Sequence, residues 1–447
     1  MNVTKLNTAV VFPCGICNLN CRYCSIDKNP ALRDVDNVLA ESFKGDYYYN
    51  KILKYFPNPT QLLQFETWGG EPTIEIERVF PLLRKLINHY PRLGSFFTST
   101  NFSYVGWPQK IESLINVFGE YPIRNFTVHI QLSCDGPQYI NDDNRGKGVT
   151  AKCLENYNEL LQWLKTDLPQ NVSVVFGPKQ TLDIETIKKL QTYESVYEYY
   201  KFFEDNFLEP AQNIQRVECF GSIPNTAVPS PITKENGLEF ANLCSICKQI
   251  QEENREQHFF PHLDRLIPFT YNHKCPLNFT MSIPPSGCGT GTVNISFLPN
   301  DLLCVCHLGF MEIVEKYKKY NAESKKLEKV ISFDDFVAET KFKQCLTEKE
   351  FDTFSDNMFL STDRDSTSRM HCIADHIHSL AQVGQLDEKY NELKESQEAA
   401  RLIASTTSYC INDGINITGS VTLQPNGMYK QLLNGAMDII EKELEVK

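Results

Sequence analysis

Six short runs rich in β-branched and aromatic residues recur in the first half of this chain, at positions 8–12, 62–68, 95–100, 126–133, 172–176 and 216–220. Several of the intervals between them, at 76–90, 152–164 and 184–200, repeat apolar residues at helical spacing. A strand that is followed by a helix before the next strand builds a parallel sheet through right-handed crossovers. Six such units predict an α/β fold. Their spacing alone fits two architectures, a partial (β/α)6 barrel and an open doubly wound sheet.

The pattern changes after residue 220. Positions 221–231 are rich in Pro, Ser, Asn and Gly, which marks a boundary, and a helical bridge is expected at about 237–257. A Pro- and Gly-rich, cysteine-bearing segment follows at 275–307, then a charged helical stretch at 312–329. Helical patterns around one Gly- and Asn-rich loop close the chain at about 379–447. The predicted division is 1–220, 221–270, 271–378 and 379–447, with the third unit carrying the later cysteines.

At 447 residues the chain can bury one large core and a smaller second unit. No apolar run approaches the length of a membrane span, and the apolar stretch at 9–12 is too short for a signal-peptide core, so no membrane partner and a cytoplasmic location are expected. In a reducing compartment, 16 cysteines point to metal ligands or buried thiols before disulfides. A net charge of −12 disfavours binding to a phosphate backbone and suits a neutral or basic substrate, such as a peptide with a basic segment.

The densest chemistry is the run Cys17-Asn18-Leu19-Asn20-Cys21-Arg22-Tyr23-Cys24, just after the first β-rich segment. Three thiolates do not complete a structural four-ligand shell. They can hold three corners of a cubane iron–sulfur (4Fe–4S) cluster and leave the fourth iron open to a small molecule. The competing reading is a zinc site that takes Cys14 as its fourth ligand, since Cys14 and Cys17 form a C-x2-C pair.

The C-x3-C-x2-C spacing, with aromatic Tyr23 before the last cysteine, resembles the signature of the radical S-adenosylmethionine (SAM) enzymes. The resemblance implies that SAM's amino and carboxylate groups fill the open iron and that reduction cleaves SAM to a 5′-deoxyadenosyl radical. It also selects the partial (β/α)6 TIM-like barrel, followed by a small auxiliary domain and a helical C-terminal section. Three further motifs fall at predicted strand ends, where α/β barrels carry their reactive groups. Gly69-Gly70-Glu71-Pro72 looks like the family's GGEP, in which backbone and acid hold the methionine amino group. Thr100-Asn101-Phe102 is similar to T-N-G, with Phe102 in the glycine position. Ser133-Cys134-Asp135-Gly136-Pro137 followed by Arg145 resembles the S-x-D-G-P…R pattern of the branch that contains sulfatase-maturing and peptide-modifying enzymes; there the serine and arginine bind SAM's carboxylate.

In the second half, Cys288-Gly289-Thr290-Gly291 through Cys304-Val305-Cys306-His307 resembles the start of a SPASM or twitch auxiliary domain, with Asp301 in a glycine position and the later SPASM cysteine run absent. The resemblance implies at most one auxiliary iron–sulfur cluster, on Cys275, Cys288, Cys306 and Cys372, with Cys304 as a substitute for Cys306; buried apolar thiols are the alternative. His307 occupies the place of a substrate-deprotonating aspartate and is a candidate general base, or else a histidine that orients a ligand.

The function these residues imply is abstraction of hydrogen from a peptide or protein side chain, giving a crosslinked or oxidised residue, with an electron donor such as flavodoxin or ferredoxin. With sixteen residues before Cys17, no leader-binding domain is expected ahead of it. Two alternatives stay open: dehydrogenation of a small molecule by the same chemistry, and a non-catalytic iron–sulfur or zinc protein acting as partner or sensor.

Overall fold

The computed structural model describes residues 6–24, 31–182, 184–219, 225–226, 294–299, 303–304 and 345–346, with isolated helical positions between 239 and 253. In chain order the elements are β1 (Thr8–Cys14), α1 (Ala31–Ser42), α2 (Tyr47–Tyr55), β2 (Gln64–Gly69), a 3-10 helix (Pro72–Val79), α3 (Phe80–His89), β3 (Ser95–Thr100) and α4 (Trp107–Gly119). There follow β4 (Phe126–Ser133), α5 (Gln138–Arg145), α6 (Val149–Asp167), β5 (Val172–Lys179), β6 (Thr181–Leu182), α7 (Ile184–Lys189), α8 (Tyr193–Phe203) and β7 (Val217–Cys219). Short strands β8 (Asn225–Thr226), β9 (Asn294–Phe297), β10 (Leu303–Cys304) and β11 (Cys345–Leu346) complete the set.

Strands β1, β2, β3, β4, β5 and β7 lie side by side in chain order and all run parallel. A doubly wound sheet reverses its strand order at a switch point. Here every crossover steps the same way, so right-handed connections place all the helices on one face. That resolves the architecture as a partial barrel. The free edge of β1 takes β9 in parallel, and β10 and β11 extend that side antiparallel. The described segments between 271 and 378 thus continue the barrel sheet.

Burial separates the two faces. On β4, Phe126, Val128, Ile130 and Leu132 are buried, while Thr127, His129, Gln131 and Ser133 between them are half-buried. The same alternation runs along β2, β3 and β5. The buried set meets the helices in one apolar cluster, with Phe96 5.7 Å from Phe118 and Tyr157 5.1 Å from Phe176, ring centre to ring centre. On α6 the inward residues Cys153, Tyr157, Leu160, Leu161 and Leu164 follow the 3.6 period. Each large side chain buried in this way contributes about 1.5–3 kcal/mol. Parallel sheets usually bury both faces under helices. A polar, half-wet second face is what the lumen of an incomplete barrel requires.

Three strands, β1, β2 and β5, run past their expected ends. β5 continues through Gly177-Pro178 to Lys179, pairing Pro178 with Leu132 and Lys179 with Ser133. Its other neighbour, β7, pairs as far as Phe176, so the missing amide hydrogen of Pro178 falls where, among the described residues, one side of β5 has no partner strand. No helix among the described residues is long and apolar enough to cross a membrane.

Candidate functional site

The C-terminal strand ends bring the sequence motifs together around the loop that carries Cys17, Cys21 and Cys24. Gly15 N–H donates to Asp36 (3.0 Å), which Arg78 holds with two nitrogens (2.9 and 3.1 Å) while also donating to Pro13 O (3.0 Å). The backbone after β2 then lies directly on the loop: Gly70 N–H donates to Cys14 O (3.0 Å) and Glu71 N–H to Ile16 O (2.8 Å). A Cβ on Gly69 would stand 2.2 Å from Cys14 O, and one on Gly70 2.3 Å from Ile16 O. Both contacts are with backbone, so the glycines are required by the close approach of two chain segments.

Glu71 is buried at 1% exposure. One carboxylate oxygen accepts from the amide and hydroxyl of Thr73, capping the 3-10 helix just ahead of Pro72, and the other accepts from Asn101 N–H at 2.6 Å. Burial raises its pKa above the ordinary carboxylate value, while these donors act to lower it. The oxygen facing Asn101 keeps a lone pair for a further donor such as an ammonium group. Asn101 Nδ2 reaches Cys17 Sγ at 3.4 Å and Asn18 Oδ1 at 2.8 Å. Phe102 adopts φ +40°, the left-handed conformation for which glycine is suited. The chain at Thr100-Asn101 therefore takes a glycine-type turn with a buried phenylalanine in it.

On the opposite side, Asp135 is fully buried and gathers five donors. Oδ2 accepts from Tyr23 OH (2.6 Å), Asn144 Nδ2 (3.2 Å) and Arg145 Nε (3.0 Å); Oδ1 accepts from Arg145 Nη2 (3.0 Å) and Thr181 N–H (2.9 Å). The guanidinium lies 5.6 Å from the centre of the Tyr23 ring, and its Nη1 is 4.0 Å from Cys21 Sγ. Arg22 adds a backbone bond to Asn144 O (2.7 Å) and a side-chain bond to Asn144 Oδ1 (2.7 Å). Cys17 thus meets the β2 and β3 ends, and Cys21 meets the β4 end, across one loop. Ser133 is half-buried on the lumen face beside Lys179.

Cys17 and Cys21 are half-buried and Cys24 is exposed. Burial pushes the Cys17 thiol up to about 12, helped by Glu71 and the other two thiols; burial also raises Cys21, against the lowering effect of Arg145. Cys17 and Cys21, each raised in part by neighbouring thiols, favour a cationic group as partner. Zinc bonds of about 2.3 Å draw four sulfurs to within about 4 Å of one another. Among the described residues no three His, Cys, Asp or Glu converge on a single ion. Cys14 is fully buried at the end of β1, with its thiol on Ile16 O at 3.4 Å, and its pKa is raised by burial and Asp36. A donor set of three thiols and no nitrogen or carboxylate ligand fits an iron–sulfur cluster on Cys17, Cys21 and Cys24.

Cys275, Cys288, Cys306, Cys372 and His307 lie outside the described residues. Cys304 pairs in register with Cys345 across β10 and β11. Sequence reasoning missed the lumen, where Trp68 stacks on Phe97 (5.3 Å) and donates to Glu66 (2.9 Å), and where Lys179 Nζ stands 6.0 Å from the Trp68 ring centre. Burial raises the Glu66 pKa and lowers that of His129. The signal for Lys179 was positional: it ends a barrel strand, but Gly177-Pro178 reads as the end of that strand.

No protein-family profile and no curated protein matches this chain. Two solved structures are similar to it, both of SuiB from Streptococcus suis. The crystal structure bound to S-adenosylmethionine is 15% identical with a TM-score of 0.37, covering 69% of this chain and 59% of that one. The second SuiB crystal structure is 16% identical with a TM-score of 0.38, covering 69% and 61%. The chain thus spans about three fifths of the length of these SuiB chains.

Proposed function

We propose that this chain is a radical SAM enzyme of the SPASM/twitch type that modifies a peptide or protein side chain, leaving a crosslinked or oxidised residue. The observation that carries the reading is the meeting of four separated motifs around one loop: Asn101 on Cys17, Arg145 on Cys21, Tyr23 on Asp135, and the Gly69-Gly70 backbone on the loop's own carbonyls. A protein that only stores a metal has no need of such a convergence.

A cluster held by Cys17, Cys21 and Cys24, with SAM bound, would supply one-electron cleavage of SAM and hence the 5′-deoxyadenosyl radical that removes a substrate hydrogen. The chain's own residues position and shield. Asn101 N–H and Thr73 hold Glu71 in place to meet an ammonium group. Asp135 fixes Arg145, whose remaining nitrogen faces Cys21 and favours its thiolate. The half-buried polar lumen below the loop admits the substrate. The later cysteines, His307 as a base, the electron donor and the peptide substrate belong to the proposal on sequence grounds.

Anaerobic reconstitution with iron and sulfide tests the reading. The wild type should bind close to four irons at the first site, lost in a Cys17/Cys21/Cys24→Ala variant, and should form 5′-deoxyadenosine with dithionite and SAM. A loaded cluster that forms none overturns the enzyme reading. Any iron that remains in the triple variant reports an auxiliary cluster.

A further inference from the structure

Glu66 points into the lumen from β2 and meets no charged group there. Register sets it beside Val10 of β1 and Phe97 of β3, with His129 of β4 one strand further, so these residues share one level of the lumen. Burial raises its pKa above the usual carboxylate value, and among the described residues it accepts only from two uncharged groups, Trp68 Nε1 (2.9 Å) and Gln64 Nε2. None of the ion pairs among the described residues includes it. Burial lowers the pKa of His129, which favours its neutral form. Lys179 Nζ stands 6.0 Å from the centre of the Trp68 ring, yet it neither pairs with Glu66 nor shifts its titration. Ser296 of β9 is in register with Val10 and so lies at the same level; it is fully buried, and its Oγ has no hydrogen-bond partner among the described residues.

An enclosed carboxylate without a counter-ion is costly until a cation arrives. Each oxygen of Glu66 takes one donor and keeps a lone pair for another. The surroundings suit an organic cation better than a metal ion. Trp68 and Phe97 stack with ring centres 5.3 Å apart, and aromatic surface both attracts a cation and packs against an aliphatic stem. A metal ion needs several oxygen, nitrogen or sulfur ligands, and among the described residues no three acids, histidines or cysteines converge. Resting on the functional reading above, we propose that Glu66 receives the ammonium or guanidinium of a lysine or arginine residue of the substrate peptide, with Trp68 and Phe97 beside its stem. The Ser296 hydroxyl supplies a further acceptor at that level. Glu66 is then a specificity residue of the lumen, and a net charge of −12 is consistent with a basic substrate.

The test is equilibrium dialysis of the cluster-loaded enzyme against four probes: the Nα-acetyl methylamides of lysine, arginine and norleucine, and n-butylamine. Wild type should bind the lysine and arginine probes about tenfold to a hundredfold more tightly than the uncharged norleucine probe, the effect of one charge-assisted hydrogen bond. Glu66→Gln should erase that preference and leave norleucine binding unchanged. A preference that survives in Glu66→Gln would trace to acidic groups elsewhere on the protein and overturn the assignment. n-Butylamine keeps the cation without the peptide groups and should bind more weakly than the lysine probe; equal binding would replace the peptide residue by a free amine and defeat the proposal. Thermal melting separates recognition from a structural role. Removing an unpaired buried charge should leave Glu66→Gln melting no lower than wild type, with the same iron content. A lower melting point or lost iron would mean that Glu66 holds the barrel together, against the proposal. None of these readouts needs turnover, so they stand apart from the formation of 5′-deoxyadenosine, whose failure would sink the functional reading itself.

Discussion

At the scale of single residues the site depends most on Asp135. Its carboxylate is fully buried, and the Arg145 side chain it pairs with is only 6% exposed. Removing one partner of a buried pair leaves the other uncompensated, at a cost of about 3–5 kcal/mol. Asp135→Asn should therefore lower the unfolding free energy measured by urea titration by an amount of that order, with a lower midpoint, and loosen Tyr23, which donates to the same carboxylate. An unchanged midpoint would contradict the assignment. Its five donors make Asp135 the bolt between the cysteine loop, α5 and the start of β6.

At the scale of elements the decisive junction is the end of β2 against the end of β1. Gly69 adopts φ +143°, and neither Gly69 nor Gly70 has room for a Cβ beside the loop backbone. Carbonyl oxygens of the main chain cannot rotate aside as a flexible side chain does, so Gly70→Ala must displace residues 14–16 and with them Cys17. The expected result is a folded protein, by circular dichroism, that retains well under half of the wild-type iron after reconstitution. Full iron loading would show that the loop tolerates the shift. The turn at Phe102 makes the contrasting case: a side chain in the left-handed region costs about 1–2 kcal/mol, and this ring offsets it by packing 5.7 Å from Trp107 and 6.2 Å from Phe207.

At the scale of the whole molecule, β1 is a central strand only because β9 arrives from about 280 residues later in the chain to cover its second edge. Residues Ala9 to Phe12 are 2% exposed or less. A chain ended after residue 219 would present this apolar strand as an open edge, the kind of surface that pairs with other chains. Such a truncation should elute as oligomers in size-exclusion chromatography and melt below the full chain. A monomer as stable as the full chain would show that β9 adds nothing to the barrel.

The strand–helix alternation, the cysteine spacing and the glycine–acid and aspartate–arginine motifs could all be read from the sequence, because each is set by local periodicity or by fixed spacing along the chain. Six strands were found at nearly their true positions for that reason. Whether the crossovers step one way or reverse is not written locally, since both arrangements use the same alternation; burial of one sheet face and wetting of the other decided it. The same holds for partners. Only the packed structure shows that Asp135 pairs with Arg145 and that Gly70 meets a carbonyl oxygen, because contacts between residues tens or hundreds of positions apart depend on how the sheet closes.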